Sequence, residues 1–169
     1  MTYIVSRWKL DALIPSAGKA DVDKAIKTFV RRVKKIEGWR KKLKASITVK
    51  DFSALLKDYE AMQTDGMKLY SFAALQFNAD TQDQQALALM GQVEQLIAES
   101  QNRTLFFSLW WKALDDKNAA RLMKQSGDLR YWLEGMRLFK PHTLSEAEEK
   151  VINIKNVNGP SAIQTLYEM

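Results

Sequence analysis

The 169-residue chain has no cysteine and one histidine, and only three prolines and seven glycines. Without cysteine there is no disulfide, no thiol nucleophile, no iron–sulfur cluster and no cysteine-based zinc finger. One histidine excludes a two-histidine metal site and leaves a single base for any Ser–His chemistry. So little proline and glycine argues against a loop-rich or all-β chain. Long apolar runs are missing as well. The most apolar stretch, Leu105 to Leu114, is broken by Ser108 and Lys112, far short of the roughly 18–20 residues a membrane span needs. The first ten residues have neither an extended apolar region nor a small-residue cleavage site, so no signal peptide is expected. These absences predict a cytoplasmic protein with no membrane partner.

What is present is globular in composition: 46% hydrophobic, 27% charged and 10% aromatic residues, which excludes wholesale disorder and suits one domain. The net charge of +6 is unevenly spread. Residues 1–50 carry 14 Lys and Arg against 4 Asp and Glu, and residues 51–169 carry 12 against 16. The densest run holds Arg31, Arg32, Lys34, Lys35, Arg40, Lys41, Lys42 and Lys44 around the lone acid Glu37. Such a run can meet nucleic acid or an anionic surface. Phe29, Val30, Val33, Ile36 and Leu43 are interleaved with it as a core stripe, so a solvated helix face is the preferred reading. Nucleic acid is not expected as a partner.

Helical periodicity runs through nearly the whole chain. The expected fold is all-α: a bundle of six to seven helices, several long and antiparallel, behind a short irregular N-terminal arm that docks Trp8, Leu10 and Leu13. Asp21 is expected to cap a helix reaching about Leu43, and Thr48 or Lys50 to start a long second one. Gly66 inside it marks a close helix contact or a kink. Thr81-Gln-Asp-Gln84 and Ser145-Glu-Ala-Glu148 both read as capping boxes. Between them, Asp115-Asp116 opens a segment to Gly127, and Asp128 opens a helix that Pro141 closes. Gly159-Pro160 is expected to start the final helix. Trp110 and Trp111 point about 100° apart, so one should be core and the other flanking. Met62, Met67, Met90, Met123 and Met136 read as gap-fillers.

Motifs that carry chemistry are missing. The chain has no His-Glu-x-x-His, no phosphate-binding Gly-rich loop and no Gly-x-Ser-x-Gly elbow. His142 reads as a loop residue rather than a base, and Glu146, Glu148 and Glu149 as first-turn carboxylates rather than metal ligands. No catalytic or metal-ligating residue is assigned.

Trp8-Lys-Leu10-Asp-Ala-Leu13-Ile-Pro-Ser16 resembles the opening of the N-terminal domain of oligoendopeptidase F, and Leu69-Tyr70 with Asn78-Ala-Asp80-Thr81 resembles that family's helix followed by Asp-Thr. Phe106-Phe107 with Leu109 is similar to its paired-aromatic stretch. Lys140-Pro-His142-Thr-Leu144-Ser145-Glu146-Ala-Glu148-Glu149, followed by Gly159 and Leu166-Tyr167, resembles its His-x-Leu-Ser-Glu-x-Glu-Glu element. Lys9 and Ile163 depart from the family's pattern. The resemblance implies the helical N-terminal lobe, spanning 1–169, of a zinc oligopeptidase of the thimet-oligopeptidase type. The lobe would form part of the wall of a cavity in which short peptides are hydrolysed. It implies that zinc and the peptide substrate are handled by a catalytic domain outside this chain, whose last helix is cut at Met169. This chain alone would then bind no zinc and be inactive. The alternative is a stand-alone binding or scaffold module using the basic 31–44 face.

Overall fold

The computed structural model describes residues 8–16 and 18–168. The expectation drawn from Met1 to Arg7 lies outside them. Among the described residues there are seven α-helices and no strand: α1 (Lys19–Trp39), α2 (Val49–Ala79), α3 (Gln84–Ala113), α4 (Asp116–Met123), α5 (Arg130–Leu138), α6 (Glu146–Asn156) and α7 (Ala162–Glu168).

Three long helices make the body. Across the α1–α2 seam Arg32 pairs with Asp65 and Lys35 with Asp58, so numbers rise on one helix as they fall on the other and the pair is antiparallel. The α2–α3 seam is antiparallel too, with Phe52 on Trp110 and Trp111 and Tyr59 on Phe107. Helices α1 and α3 therefore run parallel, tied where Arg103 grips Glu37 with two hydrogen bonds of 2.7 and 2.6 Å. Two apolar clusters fill the bundle. One centres on Phe29, Phe52, Phe107 and Trp111, the other on Leu69, Phe72, Phe77 and Val93, and Leu96 and Ile97 pack against both. Burying one such aromatic or aliphatic side chain contributes about 1.5–3 kcal/mol.

Gly66 marks a close contact. A Cβ there would stand 2.8 Å from the Phe29 ring and 3.4 Å from Ile97, so the three long helices converge on a position only glycine fills. Of the tryptophan pair, Trp111 is fully buried, stacks on Phe52 at 5.3 Å and donates its Nε1–H to the Leu133 carbonyl at 2.9 Å, while Trp110 is half-buried.

Several local expectations change. In the arm it is Ile14 that is buried, with Leu10 and Leu13 half-buried, while Trp8 is 60% exposed. Asp21 sits inside the first turn of α1 and accepts from the Ser16 hydroxyl at 2.6 Å. Gly18 occupies the cap. The helix stops at Trp39 and continues to Lys42 as a 3₁₀ turn. Thr48 does cap α2, accepting from the Asp51 N–H at 3.0 Å. At α3 the cap is Asp83, whose Oδ1 accepts from the N–H groups of Gln85 and Ala86. Its ionised carboxylate outcompetes the Thr81 hydroxyl for the positive helix end. Asp115 caps α4 through Asn118 N–H. Gly127, the one positive-φ position among the described residues at 57°, opens a 3₁₀ turn into α5. Gly159-Pro160 starts nothing: a π-helical turn over Val157–Ser161 carries Pro160 inside it and joins α6 to α7. Pro160 has no N–H to give to the ladder, and the chain passes it as a π turn rather than an α-turn. Met67 is exposed rather than filling a gap.

Candidate functional site

Helices α4 and α5 close one end of the bundle through buried Ala119, Leu122 and Leu133. Arg137 fastens this closure. It donates to the Trp111 carbonyl at 2.7 Å and to Asp116 at 2.6 Å, and its guanidinium lies over the Trp111 ring at 5.7 Å. It thereby satisfies a carbonyl at the negative end of α3, where a cation is favoured. Sequence reasoning missed Arg137, because nothing local to it announces a partner 26 residues away.

Helix α6 begins at the capping box read from the sequence. Ser145 N–H donates to Glu148 at 2.9 Å and Glu148 N–H returns to the Ser145 hydroxyl at 3.4 Å. The Ser145 hydrogen bonds hold the Glu148 carboxyl below the ordinary carboxylate range. Glu149 reaches the Leu144 N–H at 3.2 Å. Glu146 bridges Lys150 at 2.7 Å and Arg40 at 2.9 Å. These two cations, Lys150 foremost, lower its pKa against the opposing effect of partial burial. Arg40 in turn lies 5.1 Å over the Phe106 ring. Further along, Asn153 donates to Asn102 of α3 at 2.9 Å.

The edge of α6 that meets the body is thus polar, and no residue of this helix is buried. Its apolar residues face outward: Val151 is 64% exposed, and Ile152 and Ile154 are exposed as well. On α7 the i, i+3, i+4 set Ile163, Leu166 and Tyr167 is exposed at 70%, 73% and 91%, and Tyr131, Leu138 and Phe139 of the α5 region are exposed too. An ordinary surface helix has the opposite orientation. Exposed apolar side chains on three consecutive elements leave area for a partner surface to cover.

A cleft of 770 Å³ opens between α2 and α3 at the edge of α6, with Tyr59, Met62, Met67, Ile97, Thr104 and Asn153 among its walls. No charged residue lines it. Ser100, Thr104 and Ser108 direct their hydroxyls to carbonyls of their own helix at 2.7–3.1 Å. Burial pushes the Tyr59 phenol up from its ordinary pKa. The cleft can hold an apolar segment, but the described residues put no acid, base or activated nucleophile in it.

The basic run divides. Arg32 and Lys35 pair with Asp65 and Asp58, Arg40 with Glu146, and Lys42 lies 4.7 Å over Trp39 and 3.8 Å from Asp51. Arg31, Lys34, Lys41 and Lys44 are exposed and form no ion pair among the described residues. His142 is exposed in a 3₁₀ turn. No group of three or more His, Asp or Glu among the described residues is placed to hold a metal. Glu146, Glu148 and Glu149 are each committed to local donors, so the residues present do not fit a zinc site. No helix of the described residues is long and apolar enough to cross a membrane.

Residues 110–169 match the family model described as Oligopeptidase F. The matched segment runs from Trp110 through α4, α5, α6 and α7, and contains both the Ser145 capping box and the outward-facing apolar residues. The resemblance to the N-terminal domain of that family holds over this stretch. Its earlier pieces, Trp8–Ser16, Leu69-Tyr70, Asn78–Thr81 and Phe106-Phe107 with Leu109, lie outside the matched residues. No curated protein and no solved structure matches the chain.

Proposed function

We propose that this chain, which over residues 110–169 carries the N-terminal-domain signature of the oligopeptidase F family, is the helical N-terminal lobe of a zinc peptidase acting on short peptides. Zinc and the catalytic residues belong to a domain outside these 169 residues, and the present chain contributes wall to the substrate cavity. The observation that carries the reading is the inside-out α6. A helix that turns Glu146, Lys150 and Asn153 to its own bundle and Val151 and Ile154 to solvent is built to be covered by something else. That helix lies inside the matched segment. A self-sufficient scaffold would cover its own apolar residues, so the inside-out helix weighs against a free-standing module.

The test is reconstitution. The chain alone, given zinc and a quenched fluorogenic peptide, is expected to show no turnover. Joined to a following segment that carries His-Glu-x-x-His, it is expected to cleave. Val151→Asp with Ile154→Asp is expected to abolish cleavage in the joined protein while the α1–α3 bundle keeps its helical circular dichroism. Turnover by the chain alone, or full activity of the double variant, would sink the reading.

A further inference from the structure

Helix α1 carries two columns of cations with different fates. On the edge facing α2, Arg32 and Lys35 are neutralised by Asp65 and Asp58. On the outer edge Lys27, Arg31 and Lys34 are all exposed, whereas Lys24 lines a pocket on the α2 side with Asp21 and Asp65. Spacings of four and three residues put the three outer cations within an arc of about 60° over a rise of about 10 Å. None forms an ion pair among the described residues. The acids flanking this column are few. Asp23 stands at its N-terminal end, and Glu37 on its far flank is gripped by Arg103, whose hydrogen bond, with a smaller contribution from the charge of Lys34, holds the Glu37 carboxyl low.

We propose that this outer edge of α1 is an interaction surface for acidic, extended peptide segments, which it concentrates by charge. Three features select that partner. The cations stand about 4.5–6 Å apart along the axis, close to the ~6.7 Å between like-facing side chains of an extended peptide. No aromatic residue stands among them, whereas binding of single-stranded nucleic acid relies on stacking platforms. The apolar stripe of the same helix, Phe29, Val33 and Ile36, is fully buried in the bundle, so α1 has no apolar face to insert into a lipid surface. The choice of a peptide partner rests on the peptidase-lobe reading. The charge pattern itself does not. On that reading the edge favours acidic substrates by raising their encounter rate.

The experiment uses the 169-residue chain and fluorescein-labelled decapeptides, one with alternating glutamates and one with glutamines in their place, in a salt series. The acidic peptide is expected to bind at least about tenfold tighter at low salt, with the difference shrinking as salt screens it. Lys27→Glu, Arg31→Glu and Lys34→Glu together should abolish that preference with unchanged circular dichroism, while Lys117→Glu with Lys124→Glu should leave most of it. Equal binding of the two peptides overturns the proposal, as does a preference that survives the triple reversal. An oligodeoxynucleotide of equal charge, or phosphatidylserine vesicles, binding more tightly than the acidic peptide would reassign the edge and overturn it too. None of these outcomes depends on catalysis. A failed reconstitution with a neutral peptide would count against the lobe reading alone.

Discussion

The bundle α1–α3 and the arm α6–α7 use the same kind of amphipathic sequence to opposite ends. In the bundle, Phe29, Val33 and Ile36 on α1 and Phe52, Leu55 and Leu69 on α2 are buried, and charges stand outside or pair across seams. In the arm, Val151, Ile154, Ile163 and Leu166 stand outside, and charges and amides make the inner contacts. The bundle holds itself together by removing apolar area from water, a large and non-directional contribution. Among the described residues the arm is tied to the bundle by the exposed Arg40–Glu146 ion pair, which contributes about 0–1 kcal/mol, and by the Asn153–Asn102 hydrogen bond. The first region is a finished structure. The second leaves its apolar stripe uncovered.

That contrast predicts a ranked set of effects. Trp111→Ala removes a fully buried ring, its stack on Phe52 and its hydrogen bond to Leu133, and should cost about 3–5 kcal/mol in urea denaturation. Gly66→Ala forces a methyl against the Phe29 ring and should destabilise by about 1–3 kcal/mol despite better helix propensity. Gly91→Ala, on α3 with no atom within 4 Å of the new carbon, should instead stabilise by about 0.5–1 kcal/mol. If Gly66 and Gly91 behave alike, the close convergence of the three helices is wrong. Asp83→Ala should cost about 1 kcal/mol by uncapping α3. Smallest of all, Leu166→Gln should change stability by no more than about 0.5 kcal/mol, yet weaken assembly with a catalytic domain. A loss as large as that of Trp111→Ala would mean the arm belongs to the core.

Acid separates the regions further. The Glu146 carboxyl is lowered by Lys150 and Arg40, and that of Glu37 by Arg103. A lowered carboxylate pKa adds stability that is fully present above the ordinary value of 4.5 and is lost as pH falls through the folded value. Hydrogen-exchange protection of 146–156 should therefore fall first as pH drops below about 4.5, with α2 and α3 still protected. Arg40→Gln should bring the same loss at neutral pH. Simultaneous exposure of both regions would refute a polar latch on the arm.

Local chemistry read from the chain held where one group has no rival. Thr48 and Ser145 cap the helices expected of them. It failed where two groups compete within a turn, as when Asp83 displaced Thr81, and where a proline was taken for a boundary although a π turn absorbs it. Trp8, Leu10 and Leu13 are the residues expected to dock the N-terminal segment, but packing buries Ile14 and leaves Trp8 exposed. The basic run was legible as charge. Its division into a paired and an unpaired column was not, because Asp58 and Asp65 lie more than 20 residues away.

The sequence by itself determined that these 169 residues are helical and carry no His-Glu-x-x-His or Gly-x-Ser-x-Gly motif, since period and spacing are local properties of a chain, and it carried the resemblance of residues 140–149 to an oligopeptidase lobe. Only the tertiary structure decided which side of each stripe is inside. Periodicity tells that a helix has an apolar face but not what covers it. Helix α6 lies with that face to solvent because Arg40 and Asn102 hold its polar edge against the bundle.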